Sequence, residues 1–515
     1  MRRLAALVLV LVLVGSGLGF AVGQLLTGDD GGSDPSGEPG PPPPSEPGAA
    51  RAPDRSLDRF YTQELDWEPC GDHECSRLRV PLDYDRPRGR TISLAVLRVP
   101  ALGERRAPLV VNPGGPGAPG TAYAAAADRI VGPAIREQFD IVGFDPRGTG
   151  TSAPVDCLTD EELARYLSVD PSPDDADEQQ ALLDTILTRG RGCVDDDAEL
   201  AAHISTIEAA RDMDVLRAAL GRRTLDYLGK SYGTKLGATY AELFPRRVGA
   251  LVLDGAVDVA LSSRDLSLEQ ARGFETALRA YVENCVETVD SCFLGDSVDE
   301  GLARITAFLD DVDDSPLPTS SERELTVGSA FYGIVAPLYV REYWYALSAA
   351  LRSGFDGNGS ALLALADAYS SRGPDGYTDN SSEAFPAISC LDDPFSVPTA
   401  RVPAELPAFQ EASPTFGDVF AWGLVGCRGQ VAATTEPPLT IDGSGAPPIV
   451  VVGTTRDPAT PYEWAEALAG QLESGVLISR DGDGHTGYFQ GNECVDRAVE
   501  AFWLRDEVPE DGLSC

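Results

Sequence analysis

The chain has 515 residues, of which 43% are hydrophobic and 7% aromatic, the proportions of a globular protein too long for one typical core. Against 41 basic residues stand 81 acidic ones, and the net charge of −40 excludes nucleic-acid backbones and anionic membrane surfaces as partners. Most of the acidity reads as solubility. The basic residues are nearly all arginine; the only lysines are Lys230 and Lys235.

Met1-Arg2-Arg3, an apolar run from Leu4 to Val14 and small residues up to Gly23 form a signal peptide or an uncleaved membrane anchor over 1–23. Export of the body follows in either case. Residues 24–55 are rich in Gly, Pro, Ser and acidic side chains and are expected to be a disordered spacer without chemistry. Ten cysteines in an exported chain imply disulfides rather than zinc ligation, since only three histidines and no Cys-x-x-Cys are present. Pairing between neighbours is expected: Cys70 with Cys75, Cys157 with Cys193, Cys285 with Cys292, Cys390 with Cys427, and Cys494 with Cys515.

Leu78–Tyr84 and Thr91–Val99 alternate with period two and predict an opening antiparallel hairpin. Pro108–Asn112 is a short buried strand that runs into Pro113-Gly114-Gly115-Pro116-Gly117. Glycines there let a backbone N–H approach a developing oxyanion; Gly115 is the expected donor, with Gly114 in reserve. No Gly-Lys-Ser/Thr follows, so this is not the usual phosphate loop. Phe139–Phe144 is another buried strand, ending in the turn Asp145-Pro146-Arg147-Gly148, and Ser205–Leu220 is an amphipathic helix.

Thr224–Gly229 then forms a strand that meets Gly229-Lys230-Ser231-Tyr232-Gly233, followed by helix-forming residues to Phe244. This is a nucleophile elbow, exposing Ser231 above the sheet and aiming the N–H of Tyr232, at a helix N-terminus, toward the oxyanion position. Val248–Asp254 is the next buried strand. Such alternation predicts a mostly parallel sheet with helices on both faces, its first part over 56–258. Residues 259–436 read as mainly helical, an inserted cap. The sheet resumes over 437–515 with Pro448–Gly453, a turn containing Asp457, the strand Gly475–Ser479 and the loop Gly484-His485.

A serine hydroxyl needs a base oriented by a carboxylate. His73 lies in a small cysteine-bounded loop and His203 just before a helix; only His485 follows a late strand in a Gly-flanked loop. The order Ser231, Asp457, His485 is that of an α/β-hydrolase triad.

Asn112–Gly117, Gly229–Gly233, Asp457-Pro458-Ala459-Thr460-Pro461, the Gly484-His485 loop and Ala387–Asp392 resemble the secreted tripeptidyl aminopeptidases, α/β-hydrolases akin to proline iminopeptidases. The resemblance covers the chain from about Trp67 onward. It implies a serine exopeptidase that releases short peptides, often tripeptides, from a free N-terminus, without metal or other cofactor. The histidine that proline iminopeptidases carry in a His-Gly-Gly-Pro loop is Pro113 here, which fits the tripeptidyl branch. Recognition of the substrate ammonium calls for a carboxylate in the cap. Asp392 is the candidate with Asp393 behind it, ahead of Asp254 and Asp258. A monomer acting on peptides is expected. The alternatives are a carboxylesterase or lipase with the same triad, and an inactive hydrolase fold used for binding.

Overall fold

The computed structural model describes residues 43–288, 291–429, 434, 436 and 439–515. The leader over 1–23 and the spacer as far as residue 42 lie outside the described residues. The remainder of the expected spacer, 43–55, is not loose but packs on the core. The Glu46 carboxylate accepts the Arg223 N–H and pairs with Arg222, and Arg217 donates to the buried Ala49 carbonyl. Fixed hydrogen-bonding partners here override a composition that resembles a linker.

Ten strands form the central sheet. In chain order they are β1 (Glu68–Cys70), β2 (His73–Pro81), β3 (Thr91–Val99), β4 (Ala107–Asn112), β5 (Phe139–Phe144), β6 (Leu225–Lys230) and β7 (Val248–Asp254). After a two-stranded ribbon, β8 (Arg372–Gly373) and β9 (Gly376–Tyr377), the sheet is completed by β10 (Ile449–Arg456), β11 (Gly475–Asp483) and β12 (Leu513–Ser514). Its order is β1-β2-β3-β5-β4-β6-β7-β10-β11-β12. The β1-β2-β3-β5 pairings are antiparallel and the rest parallel.

The parallel strands are apolar at successive positions because both faces are covered. Leu109 and Val111 join one core with Leu228, Val252 and Trp503, whereas Val110 joins the opposite one with Tyr227, Leu251 and Leu253. Side chains alternate across the pleat, so a run without polar gaps serves two cores at once. The fold is that of an α/β-hydrolase.

β7 and β10 are neighbours in the sheet but are separated in sequence by the insertion. Its long helices, Ser263–Thr288, Val298–Asp314, Val327–Val335, Trp344–Phe355 and Ser360–Tyr369, enclose a core of their own around Tyr281, Ile305, Ile334, Leu347 and Leu362. Ala459, from the turn after β10, packs into that core and so joins the two parts.

All five disulfides link cysteines adjacent in sequence order: Cys70–Cys75, Cys157–Cys193, Cys285–Cys292, Cys390–Cys427 and Cys494–Cys515.

Candidate active site

Ser231 caps the helix Tyr232–Leu243 with φ of 56° and ψ of −127°, a left-handed backbone that a non-glycine residue adopts only under constraint. The tight turn explains its flanking glycines. A Cβ on Gly229 would stand 2.3 Å from the Gly233 carbonyl oxygen, and one on Gly233 would stand 2.8 Å from Asn112 Oδ1. The first helical N–H, of Tyr232, has no partner within the helix and is available to an oxyanion.

The expected second oxyanion element is the Pro113–Gly117 loop. The Gly114 N–H donates to Asn112 Oδ1 at 3.0 Å and is therefore engaged, whereas the Gly115 N–H has no partner among the described residues. Gly114 packs directly on the elbow: a Cβ there would stand 2.9 Å from Ser231 Cβ and 3.0 Å from the Tyr232 nitrogen. The same loop touches the insertion, since a Cβ on Gly117 would meet Ala384 Cβ at 2.8 Å.

Asp457 and His485 are both buried and joined, with His485 Nδ1 at 2.8 and 2.9 Å from the two carboxylate oxygens. The carboxylate also accepts the N–H groups of Ala459 and Thr460 at 2.9 Å and of Thr486 at 3.0 Å. Its lone pairs are thus directed by the backbone, and the imidazole is held by its Nδ1 side. His485 Nε2 is buried without a hydrogen-bonding partner, and no hydrogen bond joins it to Ser231 among the described residues. Ser231 and His485 each adjoin the segment Asp254–Gly255. The Ser231 N–H donates to the Asp254 carbonyl, and a Cβ on the adjoining Gly255 would stand 3.2 Å from His485 Cε1.

The insertion closes over the imidazole. The Tyr339 ring meets it edge to face at 5.4 Å between centroids, and the Tyr339 carbonyl accepts the His485 backbone N–H at 2.8 Å. Arg341 reaches Asp483 on the rim, and Asp483 in turn accepts from Arg456.

The other histidines stand elsewhere. His203 is buried against Glu208 at 2.6 Å, a contact that raises its pKa. His73 lies on β2.

Asp392 does not offer a vacant carboxylate to a substrate ammonium. One oxygen accepts the Thr206 N–H, and the other accepts from Lys235 Nζ at 2.7 Å as well as from Thr206 Oγ1. A lysine of the elbow helix occupies the place of the expected ligand, and Asp392 fastens the insertion to the core. Asp393 likewise accepts from the N–H and hydroxyl of Ser263 and from the Phe395 N–H. Asp254 is fully buried beneath the histidine loop, and Asp258 accepts from Gln471 and the Ala260 N–H.

Sequence reasoning missed Tyr339, Asn112 and Lys230 as parts of the site. Two of them carried a signal: Asn112 opens the Asn112–Gly117 motif, and Lys230 is one of two lysines in an arginine-rich chain and adjoins Ser231.

The TAP-like protein family, of α/β-hydrolases, matches residues 413–515. Serine protease Hip1 of Mycobacterium tuberculosis is 37% identical over 476 residues, covering 88% of this chain and 91% of that protein. Carboxylesterase B of the same species is 36% identical over 492 residues, covering 91% and 93%. A tripeptidyl aminopeptidase of Streptomyces lividans is 30% identical over 481 residues, covering 88% and 86%.

Proposed function

The chain belongs to the TAP-like family of α/β-hydrolases and is a serine hydrolase, and on that footing we propose that it is an exported exopeptidase releasing short peptides from free N-termini. The observation that carries the reading is the buried Asp457–His485 pair in a chain whose Ser231 is held in a strained elbow. Asp457 keeps the proton on Nδ1, so Nε2 is the basic nitrogen facing the nucleophile. Ser231 Oγ attacks the peptide carbonyl carbon as its proton passes to His485 Nε2. The resulting oxyanion is stabilised by the N–H groups of Gly115 and Tyr232. Collapse breaks the C–N bond; the leaving amine takes the proton from His485, and the peptide acyl group remains on Ser231. Water, deprotonated by the same imidazole, then releases the acyl group as a free acid.

The covered site supports action at chain ends. Tyr339 against the imidazole and the helix Ser381–Asp392 against Gly117 bring the insertion to both sides of the reacting centre, the arrangement expected of a cap. Five disulfides suit an oxidising compartment and support export. The names of two relatives, a serine protease and a tripeptidyl aminopeptidase, point the same way.

Free and N-acetylated tripeptide anilides test the proposal directly. The free substrate should be cleaved and the acetylated one spared; equal rates would refute exopeptidase action. A second reading, ester hydrolysis, is favoured by the relative named carboxylesterase B. Turnover of p-nitrophenyl esters with both anilides untouched would establish it instead.

A further inference from the structure

The three residues after His485 are held in an unusual way. Thr486 is β-branched yet has φ of 72°, a conformation that costs free energy and persists only where its surroundings over-determine it. Asp254 Oδ1 accepts the Gly487 N–H at 2.6 Å and Oδ2 accepts the Tyr488 N–H at 3.0 Å. The opposite polarity comes from Lys230. Its Nζ donates to the Tyr488 carbonyl at 2.9 Å and to Thr486 Oγ1 at 3.3 Å, and stands 3.5 Å from Asp254 Oδ2.

Lys230 and Asp254 are register partners on β6 and β7, so the sheet itself fixes the pair. Both are buried, with 4% and 0% of their surfaces exposed. Burial pushes the Lys230 pKa down, Asp254 and more distantly Asp496 oppose that shift, and both of its hydrogen-bond acceptors, the Tyr488 carbonyl and Thr486 Oγ1, belong to the histidine loop. Lys230 is also covalently bonded to Ser231. One residue therefore connects the nucleophile to the segment that aims its base.

We propose that Lys230, paired with Asp254, is a positioning residue that fixes the His485 loop against the strand carrying Ser231. The inference rests on the serine-hydrolase mechanism above. It differs from general core stability in what it controls: the approach of Nε2 to Oγ, and hence the rate of acylation rather than substrate binding.

The test is the second-order rate of labelling by a fluorophosphonate, with the labelled fraction at completion measured by mass spectrometry and folding followed by thermal melting. The wild type should be labelled at Ser231 and Ser231→Ala should not; failure at this step overturns the mechanism itself. Lys230→Met should label to completion but about 100-fold more slowly, as expected for a misplaced catalytic group. On the anilide substrate its kcat should fall while KM stays within about twofold.

A folded Lys230→Met protein labelled at the wild-type rate would overturn the role of Lys230 alone. So would a loss of activity matched by an unlabelled fraction. Should that variant fail to fold, Lys230→Met/Asp254→Asn removes both charges together and is expected to show the same slow labelling. Thr486→Val, which removes a single contact, decides if neither folds: labelling at the wild-type rate refutes the inference, and a several-fold loss supports it.

Discussion

Replacing Asp457 with asparagine isolates the orienting carboxylate with little change in volume. In the wild type both oxygens accept from His485 Nδ1, while Oδ1 also takes the Ala459 and Thr460 N–H groups and Oδ2 the Thr486 N–H. An asparagine can keep only one acceptor oxygen. Placed at Oδ1 it satisfies two backbone donors and turns its NH2 group toward the Thr486 N–H and the imidazole. His485 then accepts at Nδ1 and carries its proton on Nε2, so it can no longer act as the base. Loss of the correct tautomer lowers kcat by about 10³- to 10⁴-fold, equivalent to about 4–5.5 kcal/mol of transition-state stabilisation. The buried Thr486 N–H loses its acceptor, which lowers stability by about 1–3 kcal/mol. Anilide turnover and thermal melting measure the two effects separately. Asp481→Asn, at an exposed carboxylate paired with Arg456 on the same rim, is the control and should retain activity. If Asp457→Asn kept more than about a tenth of wild-type kcat, against the loss expected of a triad carboxylate, the assigned role would be wrong.

Gly114→Ala tests the approach of the oxyanion loop to the elbow. Its Cβ would stand 2.5 Å from the Lys230 carbonyl oxygen and 2.9 Å from Ser231 Cβ, at a φ of 100° that disfavours any side chain. Activity should fall by about 10²-fold or more through displacement of an oxyanion donor, whereas Gly470→Ala, with open space around it, should be silent. Glu383 provides a pH test outside the active centre. Burial of this insertion side chain against the core pushes its carboxyl up to about 7, although it accepts backbone N–H groups including that of Leu158. Because the folded-state pKa is raised, the folded protein binds the proton more tightly than the unfolded chain. The stabilisation is fully present below the ordinary carboxylate pKa and is lost as pH rises through about 7. Glu383→Gln should therefore gain stability relative to the wild type between pH 5 and 8, by an amount on the order of 2–3 kcal/mol, read as a rising difference in melting temperature. Parallel melting curves across that range would refute it.

The sheet was legible because its strands carry strong local signals. Val110 and Val111 face opposite cores, so the sequence shows an unbroken apolar run with turn residues at its end, and the same logic applies to Val450, Val451 and Val452. Gly229 and Gly233 were legible for a steric reason that distances of 2.3 and 2.8 Å make plain. Asp392 shows where such reading stops. Its motif was visible, but the lysine that takes its carboxylate lies 157 residues away, and one-dimensional spacing does not encode that meeting. The spacer shows the converse. Composition describes how a segment behaves alone, while Glu46 and Ala49 are ordered by Arg222, Arg223 and Arg217 of a distant helix end. Tyr339 left no trace because its contribution to His485 includes a main-chain carbonyl, which every residue possesses.

Strain at two ordinary-looking residues links these observations. Ser231 and Thr486 both have positive φ, one at the nucleophile and one directly after the base, and each such conformation costs about 1–3 kcal/mol. Each is held in part by groups from other strands. Asp254 serves both: its backbone carbonyl accepts the Ser231 N–H, and its carboxylate accepts from the two residues beyond Thr486. The Ser231 carbonyl is in turn held by the N–H and hydroxyl of Thr234, and the Thr486 carbonyl by Thr454 Oγ1. The cost of aiming nucleophile and base is therefore met during folding, by burial and sheet pairing, rather than at each turnover. That is the physical content of preorganisation: the dipoles that must face the transition state are already fixed when substrate arrives.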